Sequence, residues 1–123
     1  MADIMISTLY SVDPVIAGVT LLGAKKLYLL IDETPNDTQK KGLENVKKFL
    51  NKYVRIKTIS TKVYDIYTVV KDCVNLIDSI PKSEKIILNI SAARKSKAIG
   101  LMLSGYLRNE RIKKIVYITK EDK

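Results

Sequence analysis

Apolar positions in this chain alternate between strand-like and helix-like spacing from one end to the other. Ile4 to Tyr10 reads as a first strand. Ser11 or Asp13 then stands where a helix cap belongs, with Pro14 in the opening turn, and Val15, Ile16, Val19 and Leu22 share one helical face up to Gly23. Leu27 to Asp32 forms a second strand, and the turn Pro35-Asn36-Asp37 leads into a helix with Leu43, Val46, Phe49, Leu50 and Tyr53 as its expected buried stripe. Val54 to Ile59 is a third strand. Ile66, Val69, Val70, Cys73, Val74 and Ile77 then recur at helical spacing until Pro81. A nearly all-apolar fourth strand runs from Lys85 to Ile90. The helix from about Ala93 to Arg108 is expected to bury Ile99, Met102, Leu103 and Tyr106, and Ile115 to Thr119 makes a fifth strand.

Strictly alternating strands and helices predict an α/β fold, a doubly wound parallel sheet of at least five strands with right-handed crossovers and helices on both faces. In such sheets ligands bind outside the carboxyl ends of the strands where the strand order reverses. For the common order 3-2-1-4-5 that crevice lies between the first and fourth strands, bounded by Thr8 to Asp13 and Ser91 to Lys97.

The second of these loops carries the densest chemistry. An apolar strand stops at Ser91-Ala92-Ala93, and the following helix opens with Arg94, Lys95 and Lys97. A strand-to-helix turn presents unpaired backbone N–H groups, small residues let a ligand approach, and the cations suit phosphate. Cations here oppose the helix dipole, so they ask for a reason. The opposing reading is a solvated basic helix start. Thr8, Tyr10, Ser11 and Ser91 add hydroxyls for phosphate or ribose, while Ser11 and Asp13 serve equally as caps. Tyr10 offers a ring for base stacking or for packing. Tyr64 and Tyr67 either rim the pocket or begin a helix, and Lys40, Lys41, Lys47 and Lys48 read as an exposed helix face.

Composition narrows the chemistry. A chain of 123 residues, 46% hydrophobic, is sized for a single domain over 1–123. No run approaches the ~18 apolar residues of a membrane span and no signal peptide opens the chain, which points to the cytoplasm and away from membranes. There is no histidine and the only cysteine is Cys73, so classical triads, His-based ribonuclease chemistry and cysteine-cluster metal sites are excluded, and neither a metal nor a cofactor is expected. Cys73 falls in a helix's apolar rhythm and reads as core. Net charge is +9, from 22 Lys and Arg against 13 Asp and Glu, which favours anionic partners. Between Lys85 and Asn109 stand five basic residues and no acidic one. Asp32 follows the second strand as does the ribose-binding acid of dinucleotide folds, yet G-x-G-x-x-G and Walker patterns are missing, which argues against a nicotinamide enzyme and a P-loop NTPase.

Two motifs carry a family resemblance over essentially the whole chain. Ser7-Thr8-Leu9-Tyr10-Ser11-Val12-Asp13-Pro14 and Asn89-Ile90-Ser91-Ala92-Ala93-Arg94-Lys95-Ser96-Lys97-Ala98-Ile99-Gly100 resemble the loops after strands one and four of CARF domains, the CRISPR-associated Rossmann-fold sensors of cyclic oligoadenylates. The sensor halves of archaeal CARF and winged-helix regulators are the most similar. Relatives commonly carry glycines where this chain has Ala92 and Ala93, and alanine resists the positive φ that glycine accepts. The resemblance implies a Rossmann-like fold and a homodimer whose two crevices join into one pocket for cyclic tetra-adenylate, contacted by Thr8, Leu9, Tyr10, Ser11, Ser91, Ala92, Ala93, Arg94 and Lys95. Since nothing after Lys123 forms an effector domain, it also implies, as an alternative, a stand-alone ring nuclease that cleaves the messenger without metal, with Lys95 and Ser11 as its catalytic residues. A DNA- or RNA-binding regulator module is the further alternative, in which the basic surface itself holds nucleic acid.

Overall fold

The computed structural model describes residues 3–62, 64–91 and 95–118. Strands β1 (Asp3–Thr8), β2 (Lys26–Asp32), β3 (Arg55–Thr61), β4 (Lys85–Asn89) and β5 (Ile112–Val116) form one parallel sheet in the order β3-β2-β1-β4-β5. Helices α1 (Val12–Leu22), α2 (Asp37–Leu50), α3 (Ile66–Ser79) and α4 (Lys95–Leu107) connect them. The expected order is therefore the observed one, with the reversal between β1 and β4.

Each face of the sheet has its own core. Ile4, Ile6, Tyr28, Leu30, Ile86 and Leu88 point to the side covered by Val69, Cys73 and Ile77 of α3 and Leu101 of α4. Met5, Leu27, Leu29 and Ile87 point to the other side, against Val15 and Val19 of α1 and Val46 and Leu50 of α2. The alternation follows from the two-residue period of a strand buried on both faces, which makes the middles of β1, β2 and β4 apolar and leaves the polar residues at their ends.

Local signals close the helices. The Asn36 side chain accepts from the Gln39 amide at 2.8 Å to cap α2. Asp65 caps α3, accepting from the Thr68 amide at 3.2 Å and its hydroxyl at 2.7 Å, and these hydrogen bonds to Thr68 hold its carboxyl below the ordinary value. Gly23 ends α1 at φ 68°, a left-handed conformation that glycine adopts without strain.

Three expectations are corrected. The fifth strand starts at Ile112, three residues earlier than its apolar pattern suggested, because a short 3-10 turn at Asn109–Arg111 delivers the chain to the sheet edge, where Lys113 and Lys114 can stay exposed. In α2, Val46 and Leu50 of the expected stripe are buried and Leu43 packs against them, but Phe49 and neighbouring Tyr53 are 68% and 76% exposed, and Gln39 and Gly42 turn inward in their place. The largest change is in α4. Ile99, Met102, Leu103 and Tyr106 face outward, and the buried stripe is Lys97, Gly100, Leu101, Ser104 and Gly105. A Cβ on Gly100 would land on the Val69 side chain, and one on Gly105 would meet Leu88 Cδ1 at 2.5 Å. Small residues let α4 lie close to α3 and the sheet, so the bulky ones are left on the far side.

Candidate functional site

The carboxyl ends of β1 and β4 lie side by side, pairing in register up to Ser7 and Asn89. At the end of β1, Ser7 Oγ donates to the Thr8 carbonyl at 2.8 Å. Thr8 Oγ1 is buried without a hydrogen-bond partner among the described residues. A buried, unsatisfied hydroxyl costs stability and is an uncommon feature of a native structure. Leu9 turns its side chain into the α1/α2 core, and its carbonyl accepts from Gln39 Nε2 at 3.0 Å. Tyr10 and Ser11 are exposed. Ser11 occupies the cap position of α1, with extended backbone, yet its side chain makes no capping hydrogen bond. Asp13 lies in the first turn.

Asn89, at the end of β4, is fully buried and ties three elements together. Its Nδ2 donates to the Pro14 carbonyl of α1 at 3.2 Å, and its Oδ1 accepts from the Ser91 amide at 3.1 Å and the Ser91 hydroxyl at 2.6 Å. Ser91 Oγ in turn accepts from the Ile118 amide at 2.5 Å. The Ser91 hydroxyl proton is thus committed to Asn89, and its oxygen has one remaining lone pair to offer. Gly18 makes room for this arrangement, since a Cβ there would meet Asn89 Nδ2 at 2.5 Å.

Ala92, Ala93 and Arg94 lie outside the described residues. Lys95 begins α4 and is exposed. Lys97 departs from the expected phosphate-binding role: only 2% exposed, it forms an ion pair with Asp32 at the end of β2. An inward ammonium held by a carboxylate is not presented to a ligand. The Asp32 amide also donates to Gln39 Oε1 at 2.9 Å, so Gln39 bridges the ends of β1 and β2 beside the ion pair.

Neither Gln39, Asn89 nor the Asp32–Lys97 pair was singled out from the sequence. A signal existed for the last: Lys97, Gly100, Leu101, Ser104 and Gly105 recur at helical spacing, and the small members mark the face that packs closely.

An open cleft of about 570 Å³ lies one strand further out, at the ends of β2 and β3, lined by Asp32, Glu33, Thr34, Asn36, Lys62, Tyr64 and Asp65. Its carboxylates suit cationic or hydrogen-bond-donating groups better than phosphate. Cys73 sits in the core, where burial pushes its thiol up to about 12, so it is no nucleophile at neutral pH. Among the described residues no cluster of His, Cys, Asp and Glu could hold a metal ion, and no helix is long and apolar enough to cross a membrane.

Solved structures share this fold. Can2 from Sulfobacillus thermosulfidooxidans, in complex with cyclic tetra-adenylate, superposes with a TM-score of 0.79 at 15% identity, over 97% of this chain and 32% of its own. A type III CRISPR defence DNA nuclease activated by cyclic oligoadenylate gives 0.67 at 16% identity, over 85% of this chain and 17% of its own. Enterococcus italicus Csm6, bound to cyclic hexa-2′-fluoro-hexa-dAMP, gives 0.67 at 11% identity, over 98% of this chain and 35% of its own. At these identities the likeness is one of fold, and the chain spans about a third or less of each of these proteins. No curated protein matches in sequence.

The fold is thus the Rossmann-like sheet that the resemblance to CARF domains implied, with its strand order reversing between β1 and β4. The chain belongs to the family described as "HFX_2341_N:-like, N-terminal", whose model matches residues 4–123.

Proposed function

We propose that the chain is a receptor for a cyclic oligoadenylate, cyclic tetra-adenylate in the first instance, bound across a homodimer at the β1/β4 crevice. The observation that carries this reading is the coincidence, at one topological switch point, of a buried unsatisfied Thr8 hydroxyl, the exposed Tyr10 and Ser11, and Lys95 at the start of α4. The fold neighbour Can2, determined with this ligand, supports the choice of ring. In this reading Lys95, with Arg94, binds phosphate, Ser11 and Thr8 supply hydroxyl contacts, and Tyr10 packs on a base.

The outward apolar face of α4 supports the dimer. Ile99, Met102, Leu103 and Tyr106 lie on the same helix as Lys95, so a two-fold axis near this face would bring two basic loops together. A cyclic ligand with rotational symmetry suits such an interface. Calorimetric titration with cyclic tetra-adenylate tests both points: one ring per two chains supports them, and absence of heat, backed by a second binding assay, overturns the assignment.

A ring-nuclease activity is the second reading, favoured by the Ser11 hydroxyl that does not cap its helix. A ribose 2′-hydroxyl would attack its adjacent phosphorus and lose its proton to solvent while the 5′-oxygen leaves and takes one up from solvent, giving a 2′,3′-cyclic phosphate and a 5′-hydroxyl. Lys95 would offset charge on the phosphoryl oxygens, and the protein's remaining contribution would be in-line positioning. Intact ring after prolonged incubation with stoichiometric protein would rule this out.

A further inference from the structure

The end of the sheet opposite the crevice is built from cations. Across the order β3-β2-β1-β4-β5, the strands begin at Arg55, Lys26, Asp3, Lys85 and Ile112, the last followed by Lys113. The acid in this row, Asp3, is paired with Lys113 at 3.1 Å. Strands lie about 4.8 Å apart, so the row extends over roughly 19 Å. A line of charge suits an extended polyanion better than a single phosphate.

At one end the row opens into a cleft of about 490 Å³. Lys25, Lys26, Lys52 and Arg55 line it together with Tyr53. The Arg55 amide donates to the Lys25 carbonyl at 3.1 Å and Arg55 stands in register with Lys26, so β2 and β3 bring these residues into the cleft together, and Lys26 Nζ lies 5.1 Å from the centre of the Tyr28 ring. Tyr53 is 76% exposed, an unusual position for an aromatic ring that the helical pattern would have buried. An exposed ring among cations is the arrangement on which bases of a single strand stack while its phosphates are neutralised. Glu84 also lines the cleft, and its Oε2 is buried without a hydrogen-bond partner among the described residues.

We infer that this edge is a binding track for single-stranded nucleic acid, with Lys25, Lys52 and Arg55 on phosphates and Tyr53 under a base, independent of the crevice at the other end. Cations at strand starts also offset the negative ends of nearby helices. That role requires no exposed ring and gives no affinity for a polyanion.

The test is fluorescence anisotropy of labelled oligouridylate and oligothymidylate with the purified protein over a salt series. Saturable binding that weakens with salt is expected. Replacing Lys52 and Arg55 together by alanine should weaken it at least about tenfold and flatten the salt slope by about 0.7 for each phosphate no longer neutralised. Tyr53→Ala should weaken it about tenfold with the slope unchanged. Glu84→Gln should tighten it, a gain that misfolding cannot produce. Absence of binding at low salt, preference for duplex over single strand, or variants that bind as wild type would each overturn the inference. The RNA and DNA probes report which single strand is preferred.

Discussion

Lys97 of α4 reaches past the end of β1 to pair with Asp32 at the end of β2, and the pair is almost wholly shielded from water. Desolvating two charges costs several kcal/mol, which their attraction offsets only while both are present. Asp32→Ala or Lys97→Ala should therefore destabilise the fold by about 3–5 kcal/mol, whereas joint replacement by well-packed apolar residues should recover most of the loss. Denaturant unfolding of the four proteins measures this. A loss no greater than that of a surface substitution would show that water reaches the pair.

Replacing Lys95 by alanine should weaken cyclic tetra-adenylate binding at least about tenfold with no change in unfolding midpoint, since Lys95 is exposed at the start of α4. Lys97→Ala should instead lower both affinity and stability. Calorimetry paired with thermal melts separates a ligand contact from an internal support.

The outward face of α4 sets a different expectation. Leu103→Glu or Met102→Lys should leave the monomer's stability within about 0.5 kcal/mol, as for other exposed positions. If the proposed interface is formed by this face, sedimentation should show the wild-type chain as a dimer and these variants as monomers. Unchanged association would move the interface to another face.

Gly100→Ala inserts a methyl into Val69, and overpacking of this kind costs about 1–3 kcal/mol. Val69→Ala in the same chain should restore part of that loss by making room. Unfolding curves for the two single variants and the double variant test whether the α3–α4 approach is as close as the geometry indicates.

Burial raises the Cys73 thiol from 9.0 to about 12, so the folded chain keeps a proton that the unfolded chain releases above about pH 9. Its contribution to stability is complete below that pH and is lost as pH climbs towards about 12. At about pH 8, below the thiol's ordinary value, a thiol reagent should label Cys73 at the rate of opening, rising with denaturant. Immediate labelling of the native protein would contradict its placement in the core.

The sheet order and its reversal between β1 and β4 were legible in the sequence because the middles of β1, β2 and β4 are buried on both faces and stand out as apolar runs. Two helix faces were not. Hydrophobic spacing assigned Ile99, Met102, Leu103 and Tyr106 of α4 to the core, but the interior side is chosen by how closely backbones approach, and Gly100, Ser104 and Gly105 allow the closer fit. The same limit applies to Phe49 and Tyr53, displaced by Gln39 and Gly42. In the site, hydroxyls and cations were visible as residue types, but their partners were not. That Ser91 is held by Asn89 and Lys97 by Asp32 depends on how the chain folds back on itself, which residue types alone do not disclose.

Ser91 has a mechanical consequence. Its hydroxyl joins the loop leaving β4 to the amide of Ile118, just past the end of β5, so two segments far apart in the chain are latched at one atom. Any ligand that reshapes the loop must either carry Ile118 with it or release the latch. The exchange rate of the Ile118 amide with solvent is thus a direct gauge of whether an event at the crevice reaches the chain as it leaves the sheet.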